Sequence, residues 1–247
     1  MRVSVLCCFL FLLAQAQAQV DTLNPTLQKL NVKALKEGKA TYAVFFEDSL
    51  GNRLGSADLW DRSLQFSTDA TGQAVYTFDW KWWRRDSLLM SVQATGLLSS
   101  LTPLTHNTVH AQRGQAAYRF DSNLVTVPAT AQRTARDSAF RVALSPPAYS
   151  FPMDLETFPL LPFKKAGQKF AIAFYEPGSP RSAYYSLTVT GKEDLSLPGA
   201  QSVACWLLRI DYAPGSYATF WISDKTREVL KMKEYFRGRY RYKVRLY

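Results

Sequence analysis

The chain has 247 residues, 47% of them hydrophobic and 14% aromatic, with a formal net charge of +10. Its three cysteines include Cys7 and Cys8 in the opening segment, so no disulfide framework can hold the remainder together. The single long apolar run is shorter than the about 20 residues a helix needs to cross a bilayer, which excludes a helical membrane protein.

Arg2 comes first, then an apolar stretch over residues 3–13 interrupted only by Ser4, then Ala16-Gln17-Ala18. A charged start, a greasy middle and a small-residue end make a secretory signal peptide over residues 1–18, cleaved near Ala18. Cys7 follows Leu6 and Cys8 follows Cys7, so neither stands where a lipid-modified cysteine would. Cleavage leaves Cys205 as the only thiol and about 229 residues, enough for one β domain or two small ones.

Residues 19–39 are polar and mixed, with Leu27, Leu30, Val32 and Leu35 placed to anchor one strand or turn. Residues 41–47 and 54–66 read as a hairpin around Asp48-Ser-Leu-Gly-Asn52. Residues 73–83 alternate, with Tyr76, Phe78, Trp80 and Trp82 on one face and Val75, Thr77, Asp79 and Lys81 on the other. The chain turns at Arg84-Arg85-Asp86 and returns over 87–94. Shorter strands are expected at 104–110, 115–120, 124–127 and 139–144.

Five of the twelve prolines, Pro146, Pro147, Pro152, Pro159 and Pro162, lie in residues 146–162. Such density rules out a central strand or a long helix, so this segment crosses between two β halves. Residues 152–158 can form one or two helical turns, with proline at the first position and Asp154 and Glu156 near the positive end. Beyond it, strands at 168–175, 182–190, 203–212, 217–223, 228–236 and 239–247 are joined by short turns, as in an antiparallel meander. The expected fold is mainly β: a curved antiparallel sheet or open β-barrel with a proline-rich crossing segment and at most short helices. Residues 19–247 are expected to form a single β-rich domain, with halves 19–145 and 163–247 joined by 146–162; two sequential β domains are the alternative.

The charge is uneven. Residues 225–247 hold nine basic side chains against Glu228 and Glu234, a net +7. In the last strand Arg239, Arg241, Lys243 and Arg245 share one face, and Tyr240, Tyr242, Val244 and Leu246 the other. That face is either an anionic-surface contact or a solvated row that protects an edge strand from aggregation. An exported protein rarely meets nucleic acid, and no recognition motif accompanies the stripe.

Catalytic patterns are missing. His106 and His110 lie in an extended stretch where four residues span roughly 13 Å, too far for one metal. Cys205 lies in the apolar run Val203-Ala-Cys-Trp-Leu-Leu208 and reads as a small buried residue. No serine-nucleophile elbow, phosphate loop or dinucleotide fingerprint occurs. The carboxylate neighbours Glu47-Asp48, Asp154/Glu156 and Glu193-Asp194 read as turn residues, caps or solvated charges. The chain therefore points to no enzyme, cofactor or metal. Its six tryptophans and thirteen tyrosines either line an apolar pocket or fill a sheet core.

The second half carries an ordered set of phrases: residues 154–162 (Asp-Leu-Glu-Thr-Phe-Pro-Leu-Leu-Pro), 167–175, Cys205-Trp-Leu-Leu208, and 220–231 with Trp221-Ile-Ser-Asp-Lys-Thr226. Over residues 151–247 this resembles an exported bacterial domain-of-unknown-function family whose fold is similar to the periplasmic lipoprotein carriers. In the first half the resemblance is limited to the Tyr42, Trp60 and Trp80 strands. It implies an open antiparallel sheet lidded by short helices around acyl chains, although the chain lacks a lipobox cysteine and offers one short helix as a lid.

The expectation is a soluble periplasmic or secreted envelope protein whose curved sheet binds an apolar or lipid ligand at Trp80, Trp82 and Trp221. The alternative is a non-catalytic interaction protein that docks an envelope partner through Arg239, Arg241, Lys243 and Arg245. An outer-membrane barrel fits poorly, because charge breaks the terminal lipid-facing row and the proline segment interrupts the strands.

Overall fold

The computed structural model describes residues 19–131, 134–197 and 201–246. The expected signal peptide (residues 1–18), residues 132–133, the connection expected at 198–200 and the terminal Tyr247 lie outside them. Among the described residues no helix is long and apolar enough to cross a membrane.

Period-two patterning produces strands almost throughout the chain. The first half supplies β1 (Val20–Leu23), β2 (Gly38–Asp48), β3 (Arg53–Thr68), β4 (Ala74–Arg84), β5 (Ser87–Leu97), β6 (Pro103–His110), β7 (Gly114–Asp121), β8 (Leu124–Thr126), α1 (Ala135–Ala139) and β9 (Arg141–Ala143). The proline segment forms β10 (Tyr149–Ser150) and α2 (Asp154–Thr157), which sits between 3-10 turns at Phe151–Met153 and Phe158–Leu160. The second half gives β11 (Lys169–Tyr175), β12 (Ala183–Leu197), β13 (Gln201–Ala213), β14 (Ser216–Ser223), β15 (Val229–Phe236) and β16 (Arg239–Arg245).

All sixteen strands join one sheet, in the order β1-β11-β12-β13-β14-β15-β16-β2-β3-β4-β5-β6-β7-β8-β9, with β10 beside β11. The fold is the expected curved, mainly antiparallel sheet with short helices, not closed into a barrel. The last strand joins the halves by pairing antiparallel with β2. Two short parallel pairs, β1 with β11 and β10 with β11, depart from the meander. β12 also runs past the expected end at residue 190, because the register shift between Val189 and Gly191 lets the ladder continue to Leu197.

The sheet rolls up as a scroll whose ends overlap. Phe170, Ile172 and Phe174 of β11 enter the main core, while the alternate residues Ala173 and Tyr175 pack against Phe120, Val125 and Val142 of β7, β8 and β9. The Phe120 and Tyr175 rings meet edge to face at 5.9 Å. Side chains rather than ladder hydrogen bonds therefore seal the seam, and β11 is buried on both faces.

The proline segment fills the scroll. Met153, Leu155, Phe158, Leu160 and Leu161 are all buried in the main core, against Phe174 and Phe220 of the sheet. Because prolines deny this stretch a ladder of its own, it passes through as short turns and works as a plug. α1 was not foreseen; a capping box from Thr134 and Asp137 holds it on the surface.

Gly96 of β5 marks one close approach. A Cβ there would overlap the Tyr76 hydroxyl and the Thr102 carbonyl oxygen. Gly96→Ala is expected to cost about 1–3 kcal/mol through forced backbone shifts, read as a lower urea midpoint with the slope unchanged.

Candidate functional site

Sheet register decides where the C-terminal basic stripe points. In β16, Arg241 faces Phe46, Lys243 faces Val44 and Arg245 faces Tyr42 of β2, and on the other side Lys243 faces Met232 of β15. Tyr42, Val44 and Met232 belong to the buried core. A strand cannot bury those neighbours without turning its own matching residues inward as well. The stripe accordingly faces the interior of the scroll, and the Tyr240 and Tyr242 face is the outer one.

The acidic plug explains how the interior accepts this charge. Arg62 of β3, 3% exposed, donates from both Nε and Nη2 to the Glu156 carboxylate, and from Nη2 to the Pro152 carbonyl at 2.7 Å. Asp154 lies 3.8 Å from the Arg62 guanidinium and 3.5 Å from the Lys243 ammonium. Arg241 pairs with Glu234 of β15, and Arg245 with Glu228 at 2.8 Å. Lys243 also stands 4.5 Å from the Trp60 ring centre, a cation–π contact. Burial pulls the Lys243 ammonium down to about 8, against the opposing pull of Asp154. Asp154, buried, and Glu156, half-buried, read from sequence as turn residues, caps or solvated charges, are thus ion-pair partners inside the scroll.

Between plug and sheet lies a cavity of about 470 Å³. Its aromatic wall comprises Trp60, Trp80, Phe151, Tyr185, Tyr212 and Phe236, and its charged lining Arg62, Asp154, Glu176, Glu234, Arg241 and Lys243. Glu176 follows directly on β11 and keeps solvent contact at the mouth. The surrounding walls, and then the Asp154 charge, push its carboxyl up to about 7. The volume lies within the range of small-molecule sites, and an aromatic wall with a few placed polar groups is their usual composition.

The three tryptophans expected at a ligand site are not all brought together. Trp80 lines the cavity, its ring 4.6 Å from that of Trp60. Trp82 follows on the same face beside Trp60, at 6.0 Å, with its indole N–H donated to Asp58 at 2.8 Å. Trp221 projects from the opposite face, where it donates to Glu193 at 3.1 Å and lies under the Lys231 ammonium. Of the basic four, Arg241 and Lys243 line this cavity, Arg245 lines a smaller one of about 260 Å³ beside Glu228, and Arg239 remains exposed over Phe46 and Phe236. Sequence reasoning missed Trp60, Arg62, Glu176 and Tyr212. The alternation of β3 placed Trp60 and Arg62 on one face, which was the available signal; nothing local marked Glu176.

Among the described residues no group of three or more metal-ligating side chains exists. Burial raises the Cys205 thiol to about 11, far from a reactive thiolate. His106 is 3% exposed; its Nε2 meets the Thr108 hydroxyl at 2.8 Å and its Nδ1 has no partner. Burial lowers its pKa from the ordinary 6.5 to about 4, so its neutral form is favoured in the fold. That contribution to stability is complete above pH 6.5 and is lost as pH falls towards 4. Glu176, with its raised pKa, acts in the opposite direction between pH 7 and 4.5. The His106→Gln protein should therefore lack about 3 kcal/mol of the wild-type protein's acid-dependent loss between pH 7 and 4, measured by urea unfolding of both proteins across that range.

Compared with known proteins, the chain matches no family model and no curated protein. Among solved structures it is similar to a beta-barrel-like protein of a domain of unknown function from Brucella abortus, at TM-score 0.47 and 8% identity, over 84% of this chain and 94% of that one. It is also similar to a candidate exported protein with a YmcC-like fold from Bacteroides fragilis, at TM-score 0.35 and 10% identity, over 85% and 95%. A third is a candidate lipoprotein from Parabacteroides distasonis, at TM-score 0.32 and 8% identity, over 85% and 94%.

Proposed function

We propose that this is an exported envelope protein that binds a compact amphipathic ligand in the cavity between plug and sheet. The observation that carries the reading is the cavity itself: about 470 Å³, with six aromatic side chains on one side and charged groups on the other. The charged, apolar and small-residue order of residues 1–18, as in a secretory leader, supports export.

The geometry narrows the expected lipid reading. Phe158, Leu160 and Leu161 of the plug are themselves buried in the main core, so they fill space between plug and sheet. What is left suits a short apolar body with a polar head, lying on Trp60 and Trp80. Docking of an envelope partner through the basic strand draws less support, since Lys243 is buried and Arg241 and Arg245 have carboxylate partners within the chain.

Titration with short-chain amphiphiles, followed by tryptophan fluorescence and calorimetry, tests the reading. Saturable binding that weakens in Trp80→Ala, but not in Trp221→Ala on the outer face, is the expected result. Absence of binding by any of them would overturn it.

A further inference from the structure

The cavity is not balanced in charge. Three cations reach it, Arg62, Arg241 and Lys243, and each has a carboxylate partner: Glu156, Glu234 and Asp154 respectively. Glu176 is the fourth carboxylate and, among the described residues, no ion pair or side-chain hydrogen bond engages it. The one charge raising its pKa is Asp154, and no cation lowers it. With Glu176 ionised the group holds one more carboxylate than cations, and the unmatched carboxylate stands at a mouth lined by aromatic side chains. Electron-rich ring faces attract cations, most strongly where water is excluded. An anionic head would be repelled by Glu176 and would have to compete with carboxylates for every cation, each of which is already hydrogen-bonded or paired.

Resting on the binding reading above, we infer that the ligand carries a single positive charge, an ammonium or quaternary ammonium head, seated between Glu176 and the aromatic wall with its apolar part against Trp60 and Trp80. This reverses the sign suggested by the net charge of +10. The basic stripe does not advertise an anionic partner: Lys243 faces Asp154 of the plug, and Arg241 and Arg245 are paired with Glu234 and Glu228 beside it.

The pH dependence follows from the groups around the head. Glu176 faces Asp154 of α2, Tyr185 of β12, Tyr212 of β13, Glu234 of β15, and Arg241 and Lys243 of β16 across the cavity, with Arg62 of β3 behind the plug. A bound cation favours the ionised carboxylate. Affinity should be full well above pH 7 and should fall by up to about tenfold per pH unit below it, as one proton competes with the head.

The test uses three probes with one tail: octyltrimethylammonium, octyl sulfate and octyl glucoside, titrated into the leader-free protein at pH 8 and pH 6. The expected result is binding of the ammonium at least about tenfold tighter than the others at pH 8. Its affinity should drop at pH 6, and Glu176→Gln should remove the preference and most of that drop, leaving the smaller part that protonation of Lys243 contributes. Equal binding of all three would refute the cation while leaving the cavity reading intact, as would tighter binding of the sulfate. Binding of none would end both. Because Glu176 is solvent-accessible, the Gln variant is expected to fold, and its urea midpoint confirms that any loss is of binding.

Discussion

Replacing Arg62 with methionine should cost about 3–5 kcal/mol of folding stability, because removal of one partner leaves a buried charge uncompensated. The side chain is 2% exposed and makes contacts that no other residue can supply together. Its planar fork serves both oxygens of Glu156 and the Pro152 carbonyl at once, and it lies 4.8 Å from the Phe78 ring centre and 5.5 Å from that of Trp80. Methionine keeps the apolar contact but strands Glu156, with its side chain 16% exposed, and leaves Asp154, at 9%, with Lys243 alone. Lysine would not substitute, since a single ammonium cannot bridge a carboxylate and a carbonyl in that geometry.

A double-mutant cycle separates the ion pair from the packing. Arg62→Met with Glu156→Gln should lose less than the sum of the two single changes, because the second removes the stranded charge the first created. Arg119→Met provides the exposed contrast. Its pair with Asp121 has side chains 63% and 51% exposed, so a change within about 0.5 kcal/mol is expected. Chemical denaturation of the wild type and the four variants at one pH measures all of this. A loss from Arg62→Met as small as that from Arg119→Met would contradict the plug-anchor role.

Much of the fold was legible because strand alternation is a local signal. The runs that became β2 to β5 and β13 to β16 carry their faces in their own residues: Tyr76, Phe78, Trp80 and Trp82 predicted one face of β4 and do share it. The direction of the charged face of β16 was not legible. Alternation shows that Arg241, Lys243 and Arg245 lie together, but not which side of the sheet is inside. That was decided by Tyr42 and Val44, almost two hundred residues earlier, and by acidic residues on a segment whose prolines hid its buried role. Hydrophobic patterning assumes that charge faces water, and a plug carrying Asp154 and Glu156 inverts the assumption locally. Glu176 was invisible for a related reason: its significance is the lack of a partner, and a missing partner can be recognised only when every neighbour is in place. The scroll seam was equally hidden. Ala173 and Tyr175 alternate with core residues and read as an outward face, until the far end of the sheet lies over them.

The plug could be a lid that lifts to admit ligand or a permanent part of the core, and Phe158 distinguishes the two. Its ring is fully buried and meets Phe220 of β14 edge to face at 4.9 Å and Phe174 of β11 at 5.8 Å. In a core, Phe158→Ala removes those contacts and leaves a void, at a cost of about 3–5 kcal/mol in the global unfolding transition. In a lid already released much of the time, the same change would scarcely move the midpoint, since the contacts would not be steadily made. The anchoring of the plug by Arg62 and Lys243, together with five buried apolar side chains, argues for the core. The expected result is therefore a large fall in urea midpoint with one cooperative transition and an unchanged slope. A permanent plug leaves the mouth beside Glu176 as the route of entry. The Phe158→Ala protein, where it remains folded, should then bind octyltrimethylammonium much as the wild type does. A small stability loss joined to faster ligand exchange would instead identify the plug as a gate.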